Sequence, residues 1–242
     1  MVNINNYLDA TYLKTPEQSG KTEAETIKIV NDLIEEAIKN EYKLVMIRPK
    51  YVAMAKKKIA ESNRDVLVGT VIGFHQGTSS IEEKLAEAQK AIDEGADELD
   101  FVINYPAFLD GKINLVKSEV FKGTQLVLAH QKTIKWIIET AALTDDEIIA
   151  ITTLIKDVVI SNFDHEKAYN VFVKSSTGFF KTIDNKPSGA TFEAMKLIVE
   201  NARPLQVKAA GGVKNYEQAK KMITLGVDRI GTSSAKQIIH SK

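Results

Sequence analysis

From end to end the chain alternates short β-branched runs with charge-rich amphipathic segments, and this rhythm constrains it more than any other feature. The runs are YLDATYL (7–13), KLVMI (43–47), VLVGTVIGF (66–74), ELDFVIN (98–104), IKWIIET (134–140), VFVKS (171–175), LQVKAA (205–210) and DRIGTS (228–233). Between most of them the apolar period changes from two to 3.6. TEAETIKIVNDLIEEAIKN, for example, repeats at Ile27, Val30, Leu33, Ile34 and Ile38. SSIEEKLAEAQKAIDEGA opens on a serine cap and has Gly95 near its end as a stop, SGATFEAMKLIVENA behaves likewise, and NYEQAKKMITLG closes on Gly226. Strands joined by helices must run parallel, because each helix carries the chain back to the edge it left. Eight such units in 242 residues predict one (β/α)8 TIM barrel occupying residues 1–242 as a single domain. An open doubly wound sheet would need a glycine-rich turn after an early strand, and no G-x-G-x-x-G occurs. The segment IKDVVISNFDHEKAYN (155–170) is the least regular and reads as a surface elaboration of the helix after the fifth strand.

In such a barrel the chemistry gathers at the C-terminal strand ends. Asp100 lies on the fourth strand, Lys135 on the fifth, Lys174 on the sixth and Lys208 on the seventh, spaced by about one barrel unit each. A single strand-end lysine can hide its stem and send its ammonium to water. Several that point inward meet instead. A lysine among other ammonium groups in a partly desolvated pocket loses its proton more readily and becomes a nucleophile toward carbonyls. Its imine withdraws electrons and permits carbon–carbon cleavage, with a carboxylate such as Asp100 relaying protons. The other reading of Asp100 is a salt bridge that merely holds the lysines.

Glycines mark the neighbouring loops. Gly178 follows strand six, Gly211 and Gly212 follow strand seven, and Gly231, Ser233 and Ser234 end strand eight. Backbone N–H groups exposed there, with a short helix starting at SSAKQIIHSK, predict a phosphate site at the place where barrels commonly have one.

Other chemistries find little support. Without a cysteine there is no disulfide framework, thiolate nucleophile or cysteine-bound metal. His75, His130, His165 and His240 lack H-x-x-x-H spacing, so no metal and no cofactor is expected, and His75 reads as a polar loop residue. The 32 basic residues equal the 32 acidic ones, which gives no net field toward nucleic acid or a membrane surface. MVNINNYLDATYLK has no basic and apolar leader pattern, and no run approaches a membrane span, so a cytoplasmic location is expected. A second copy in a homodimer is the one macromolecular partner allowed for.

FVKSSTGF, VKAAGGV, ELDFVIN, IKWIIET, VIGF, RIGTSS and the early DATYLK together resemble 2-deoxyribose-5-phosphate aldolases over nearly the whole chain, in order and at barrel spacing. The resemblance implies a (β/α)8 class I aldolase that reversibly cleaves 2-deoxy-D-ribose 5-phosphate to acetaldehyde and D-glyceraldehyde 3-phosphate. It implies Lys174 as the Schiff-base lysine, Lys208 as the lysine that perturbs it and Asp100 as the proton-relay aspartate. Asp9, Thr11, Lys135 and Thr177 fall on the substrate side, Asp9 placed to hydrogen-bond a hydroxyl. Some residues depart from the family pattern: Ala10, Met46, Phe179 where some members carry a lysine near the phosphate, a longer FKTIDNKPSG, and an ending at IIHSK without a tyrosine-ended tail. Two other readings remain beside this one: a transaldolase-like Schiff-base barrel, and a barrel that binds a sugar phosphate without turnover.

Overall fold

The computed structural model describes residues 3–182 and 189–241, so most of the FKTIDNKPSG stretch lies outside the described residues. Eight strands run β1 (Leu8–Tyr12), β2 (Leu44–Ile47), β3 (Leu67–Ile72), β4 (Glu98–Val102), β5 (Thr133–Ile137), β6 (Val171–Lys174), β7 (Gln206–Ala210) and β8 (Arg229–Thr232). All neighbours pair in parallel, and β8 closes on β1. Each strand lies within its predicted run, save that β5 starts one residue early. The runs overshoot at their C-terminal ends because residues such as Gly73, Asn104 and Glu139 have left the ladder for the loops that form the mouth.

A helix follows each strand: α1 (Glu23–Asn40), α2 (Val52–Glu61), α3 (Ile81–Asp93), α4 (Ile113–Ala129), α5 (Asp145–Asn162), α6 (Phe192–Ala202), α7 (Tyr216–Leu225) and α8 (Ala235–His240). Thr22, Ser80 and Thr144 start α1, α3 and α5 with reciprocal capping boxes to Glu25, Glu83 and Glu147. On α1, Val30 and Ile34 are fully buried, each worth roughly 1.5–3 kcal/mol. The face is completed by Thr26 and Ala37, whereas Ile27 is 36% exposed at the edge of the stripe. The 155–170 segment departs from its expected surface role. Its first half completes α5 and buries Ile155, Val158 and Val159 against the barrel, leaving only 163–170 as a connection.

Alternation along the strands sorts side chains into two cores. Trp136 points outward, tilted against Phe101 with centroids 5.1 Å apart, and its indole N–H donates to Thr124 at 3.1 Å. A β-carbon on Gly123 of α4 would come within 2.8 Å of that indole, so the helix can only approach because the residue is glycine. Inside the barrel, Leu44, Met46 and Val71 line the side formed by β2 and β3. The opposite side is charged.

One buried lysine fastens the mouth. Lys84 of α3 donates to the carbonyls of Gly77 (2.6 Å) and Val102 (2.8 Å) and pairs with Glu119 of α4. Glu119 in turn accepts the Asn104 N–H at 2.8 Å, which ties the loops after β3 and β4 to both helices.

Candidate active site

Seven charged side chains from six strands enter the lumen: Asp9 of β1, Glu98 and Asp100 of β4, Lys135 of β5, Lys174 of β6, Lys208 of β7 and Arg229 of β8. Each is 5% exposed or less. Strand register sets who meets whom. Lys174 pairs beside Lys208, and Asp100 beside Lys135.

Asp100 is the hub. Its Oδ2 accepts from Lys174 and from Lys208 at 2.8 Å each, and its Oδ1 accepts from Lys135 at 2.9 Å. Lys135 reaches on to Glu98, and Lys208 Nζ lies 2.5 Å from Asp9 Oδ2. The Arg229 guanidinium spans the far side, with Nε 2.8 Å from Asp9 Oδ1 and two N–H groups 3.1 Å from the Glu98 oxygens.

Electrostatics follow from that wiring. Burial works to raise the Asp100 carboxyl, yet Lys135, Lys174 and Lys208 hold it well below the usual carboxylate range. Asp9 is lowered too, burial being outweighed by Arg229 and Lys208. Lys135 is raised in spite of its burial, because Asp100 and Glu98 both favour its proton. Lys174 goes the other way. Burial pushes its amine down to about 8, opposed by Asp100 and reinforced by repulsion from Lys208 and Lys135. Of the two causes the sequence suggested, a desolvated pocket and neighbouring ammonium groups, burial is therefore the larger. Lys174 is also the one of these three lysines with any side-chain exposure, 4% against 0% for the others.

The turn after β6 frames this amine. Glu139, in a left-handed conformation (φ 57°) just past β5, accepts the Thr177 N–H at 3.2 Å and the Thr177 hydroxyl on the same oxygen. Burial raises the Glu139 carboxyl, against its bonds to Thr177. Thr140 links Ser176 at 2.8 Å to the Gly189 carbonyl at 3.0 Å. Ala190 then donates to the Gly211 carbonyl at 2.8 Å. Gly189 (φ 93°) and Gly211 (φ 89°) touch backbone to backbone, and a β-carbon on Gly189 would sit 2.6 Å from that same carbonyl oxygen. The loops after β6 and β7 thus form one rim. Gly212 and Ser233 are exposed on the rim, and so is Gly178.

The structure shows what surrounds the other expected site residues. Asp9 and Lys135 are fully buried, and each is ion-paired with charged neighbours in the lumen. Thr177 has given its hydroxyl to Glu139, and Thr11 donates its own to the Asp9 carbonyl at 2.8 Å. Gly231 lies buried near the end of β8, where a β-carbon would meet Lys208 Cε at 3.0 Å, so it makes room for the lysine stem. The Ser234 N–H is taken by Thr232 at 2.9 Å, and α8 has only six residues. His75 is no bare loop residue: it stacks on Phe179 with centroids 5.6 Å apart, and Phe74 packs edge-on against the same ring at 5.0 Å. Among the described residues no three of His, Asp and Glu converge as a metal site requires.

Glu98, Arg229 and Glu139 went unread in the sequence. Glu98 stands two residues before Asp100, hence on the same strand face, and Arg229 stands two before Gly231. Period-two counting from the residues already chosen was the available signal for both. Glu139 is the polar residue that ends the apolar run of IIET.

The profile of the DeoC/LacD family of aldolases matches residues 10–234 of this chain. A deoxyribose-phosphate aldolase of Thermococcus gammatolerans is 39% identical over 241 residues, covering 98% of this chain and 96% of that protein. The deoxyribose-phosphate aldolase of Metamycoplasma hominis is 39% identical over 229 residues, 94% of this chain and 93% of its own. Among solved structures, an aldolase designated QR15 superposes with a TM-score of 0.79 at 32% identity, covering 99% of this chain and 96% of that one. The deoxyribose phosphate aldolase of Aeropyrum pernix, described as having a unique tetrameric structure, superposes at 0.76 with 26% identity, covering 98% of this chain and 90% of that one.

Proposed function

Because the chain belongs to the DeoC/LacD family of aldolases, we propose that it reversibly cleaves 2-deoxy-D-ribose 5-phosphate to acetaldehyde and D-glyceraldehyde 3-phosphate. It is a carbon–carbon lyase acting through a Schiff base. The observation that carries the reading is the amine of Lys174, brought down to about 8 chiefly by burial and held 2.8 Å from Asp100 at the foot of the mouth.

In this mechanism neutral Lys174 attacks the C1 aldehyde of the open-chain sugar, and the carbinolamine loses water to give an imine. The C3 hydroxyl gives up its proton, the C2–C3 bond breaks, and its electron pair becomes the enamine double bond between C1 and C2. D-glyceraldehyde 3-phosphate departs, C2 takes up a proton, and water releases acetaldehyde from Lys174. Asp100 is supported as the relay by its position: one oxygen accepts from both Lys174 and Lys208, so a proton can pass between amines, carboxylate and water without any group moving far. Lys208 keeps that carboxylate charged and repels a second ammonium.

The phosphate is assigned to the rim, with Gly178, Gly211, Gly212 and Ser233 as its nearest groups and Ser234 behind them. Gly231, near the end of β8 and packed on the Lys208 stem, belongs to the same phosphate set, and Asp9, Lys135 and Thr177 are assigned to the substrate side. Thr11, above Asp9 on β1, remains on the substrate side. The reading takes the whole chain as one aldolase domain working in the cytoplasm, with a second copy as its expected partner. Among the described residues no helix is long and apolar enough to cross a membrane.

Borohydride reduction in the presence of acetaldehyde tests the proposal by mass spectrometry. One added two-carbon unit on Lys174 is expected. Label on Lys208, or none, overturns it.

A further inference from the structure

The buried ion pairs close into a ring. Starting at Asp100, the chain of contacts runs to Lys135 at 2.9 Å, to Glu98, to Arg229 at 3.1 Å, to Asp9 at 2.8 Å, to Lys208 at 2.5 Å and back to Asp100 at 2.8 Å. Three carboxylates alternate with three cations. Every member touches two of opposite sign, which is how buried charges avoid standing uncompensated. Lys174 is outside the ring, attached only through an Asp100 oxygen that Lys208 already shares. Its other charged neighbours are Lys135 across the hub and Glu139 above, the latter turned to Thr177.

We propose that Arg229 and Glu98 are positioning residues for the reaction: as the far links of this ring they keep it electrically neutral, which leaves Lys174, of the four cations in this lumen cluster, as the ammonium without a carboxylate of its own. Neither residue reaches the mouth. They act through Asp9, Lys135 and Lys208 on the charge that Lys174 experiences. A neutral ring gives the Lys174 ammonium no net attraction to offset its burial, so it releases its proton first and becomes the nucleophile. The inference rests on the Schiff-base reading given above and extends it to residues beneath the catalytic amine.

The consequence has a sign. Arg229→Met removes a positive charge, leaves the ring negative and makes Lys174 hold its proton. Glu98→Gln leaves the ring positive and does the opposite. The experiment is borohydride trapping of acetaldehyde on Lys174 as a function of pH in the full chain, with folding of each variant followed by circular dichroism. Arg229→Met should move the trapping midpoint upward by roughly one pH unit and Glu98→Gln downward by about as much. The double variant, neutral again, should return close to the unaltered midpoint. Arg229→Lys, which keeps the charge and loses the fork, should hold the midpoint while slowing turnover. A residue that only braces the barrel would lower the trapped fraction evenly across pH and move no midpoint, and that result overturns the inference. If Arg229→Met fails to fold, Glu98→Gln decides alone, a downward shift upholding the ring and an unmoved midpoint overturning it. Absence of trapping on Lys174 in the unaltered protein overturns the aldolase reading, and the ring's role with it.

Discussion

Lys174 and Lys208 stand side by side on adjacent strands and share one carboxylate oxygen, Asp100 Oδ2, at 2.8 Å each. Two ammonium groups on one oxygen cannot be equally content. Lys208 has a second carboxylate in Asp9, while Lys174 faces the mouth with none.

Replacing Lys208 by leucine removes the repulsion and frees Asp100 to favour the Lys174 proton. The pH midpoint of imine trapping should rise, and turnover should fall about 100-fold or more. Because burial is the larger cause of the Lys174 shift, the midpoint should move only part of the way back toward 10.5. A large rate loss with an unchanged midpoint would show instead that Lys208 hands over a proton directly.

Lys174 also weakens the fold. Its amine titrates near 8 in the folded chain and near its ordinary 10.5 when unfolded, so between those values the unfolded chain binds more protons and stability rises with pH. Below about 8 both states are protonated and the full cost is present. Lys174→Met should therefore be more stable than the unaltered protein at pH 7, by up to about 3 kcal/mol. Urea denaturation should find that advantage shrinking as pH rises from 8 to 10.5. An advantage that stays level with pH would mean that packing, not charge, is responsible.

Thr177→Val strips Glu139 of its hydroxyl partner and leaves a buried carboxyl short of one bond. The cost should be about 1–3 kcal/mol, visible as a lowered Tm. Turnover should fall roughly 10-fold while label still maps to Lys174, since the turn loosens without losing the nucleophile.

The proposed phosphate site on the rim can be tested apart from the chemistry. Gly189→Ala drives a β-carbon into the Gly211 carbonyl, and Ser233→Glu sets a negative charge at the position proposed for the phosphate. Both should erase most of the preference for 2-deoxyribose 5-phosphate over 2-deoxyribose, read as a ratio of kcat/KM values. Trapping of acetaldehyde should stay nearly intact. Full retention of the preference in Ser233→Glu would move the phosphate to another part of the mouth.

Spacing along the chain located Asp100, Lys135, Lys174 and Lys208, because one barrel unit separates successive strands and alternation gives an inward face. Depth is a different quantity. It depends on register between strands, which spacing along one strand does not give, so the burial of Asp9 and Lys135 and their ion pairs with Lys208 and Asp100 were not legible. Glu98 was overshadowed by Asp100 on the same strand face, and Arg229 by the glycine loop after it. The helix at 145–162 was legible only in its first half: Ile155, Val158 and Val159 bury a face that ISNFDHEKAYN, rich in polar residues, obscured.

Gly231 has a lasting consequence for descent. The stem of Lys208 occupies the space that any side chain at 231 would need, with Cε 3.0 Å from where a β-carbon would sit. The two positions are therefore packed against one another across β7 and β8, and a side chain at 231 would push on the Lys208 stem. A barrel that inherited this scaffold and gave up the reaction would be released at 208 first, then free to fill 231. Once alanine or valine settled there, a lysine returning to 208 would have to shift its stem away from the place it now holds beside Asp100. Abandoning the chemistry takes one substitution, whereas recovering it with the Lys208 amine where it now sits favours restoring glycine at 231 as well.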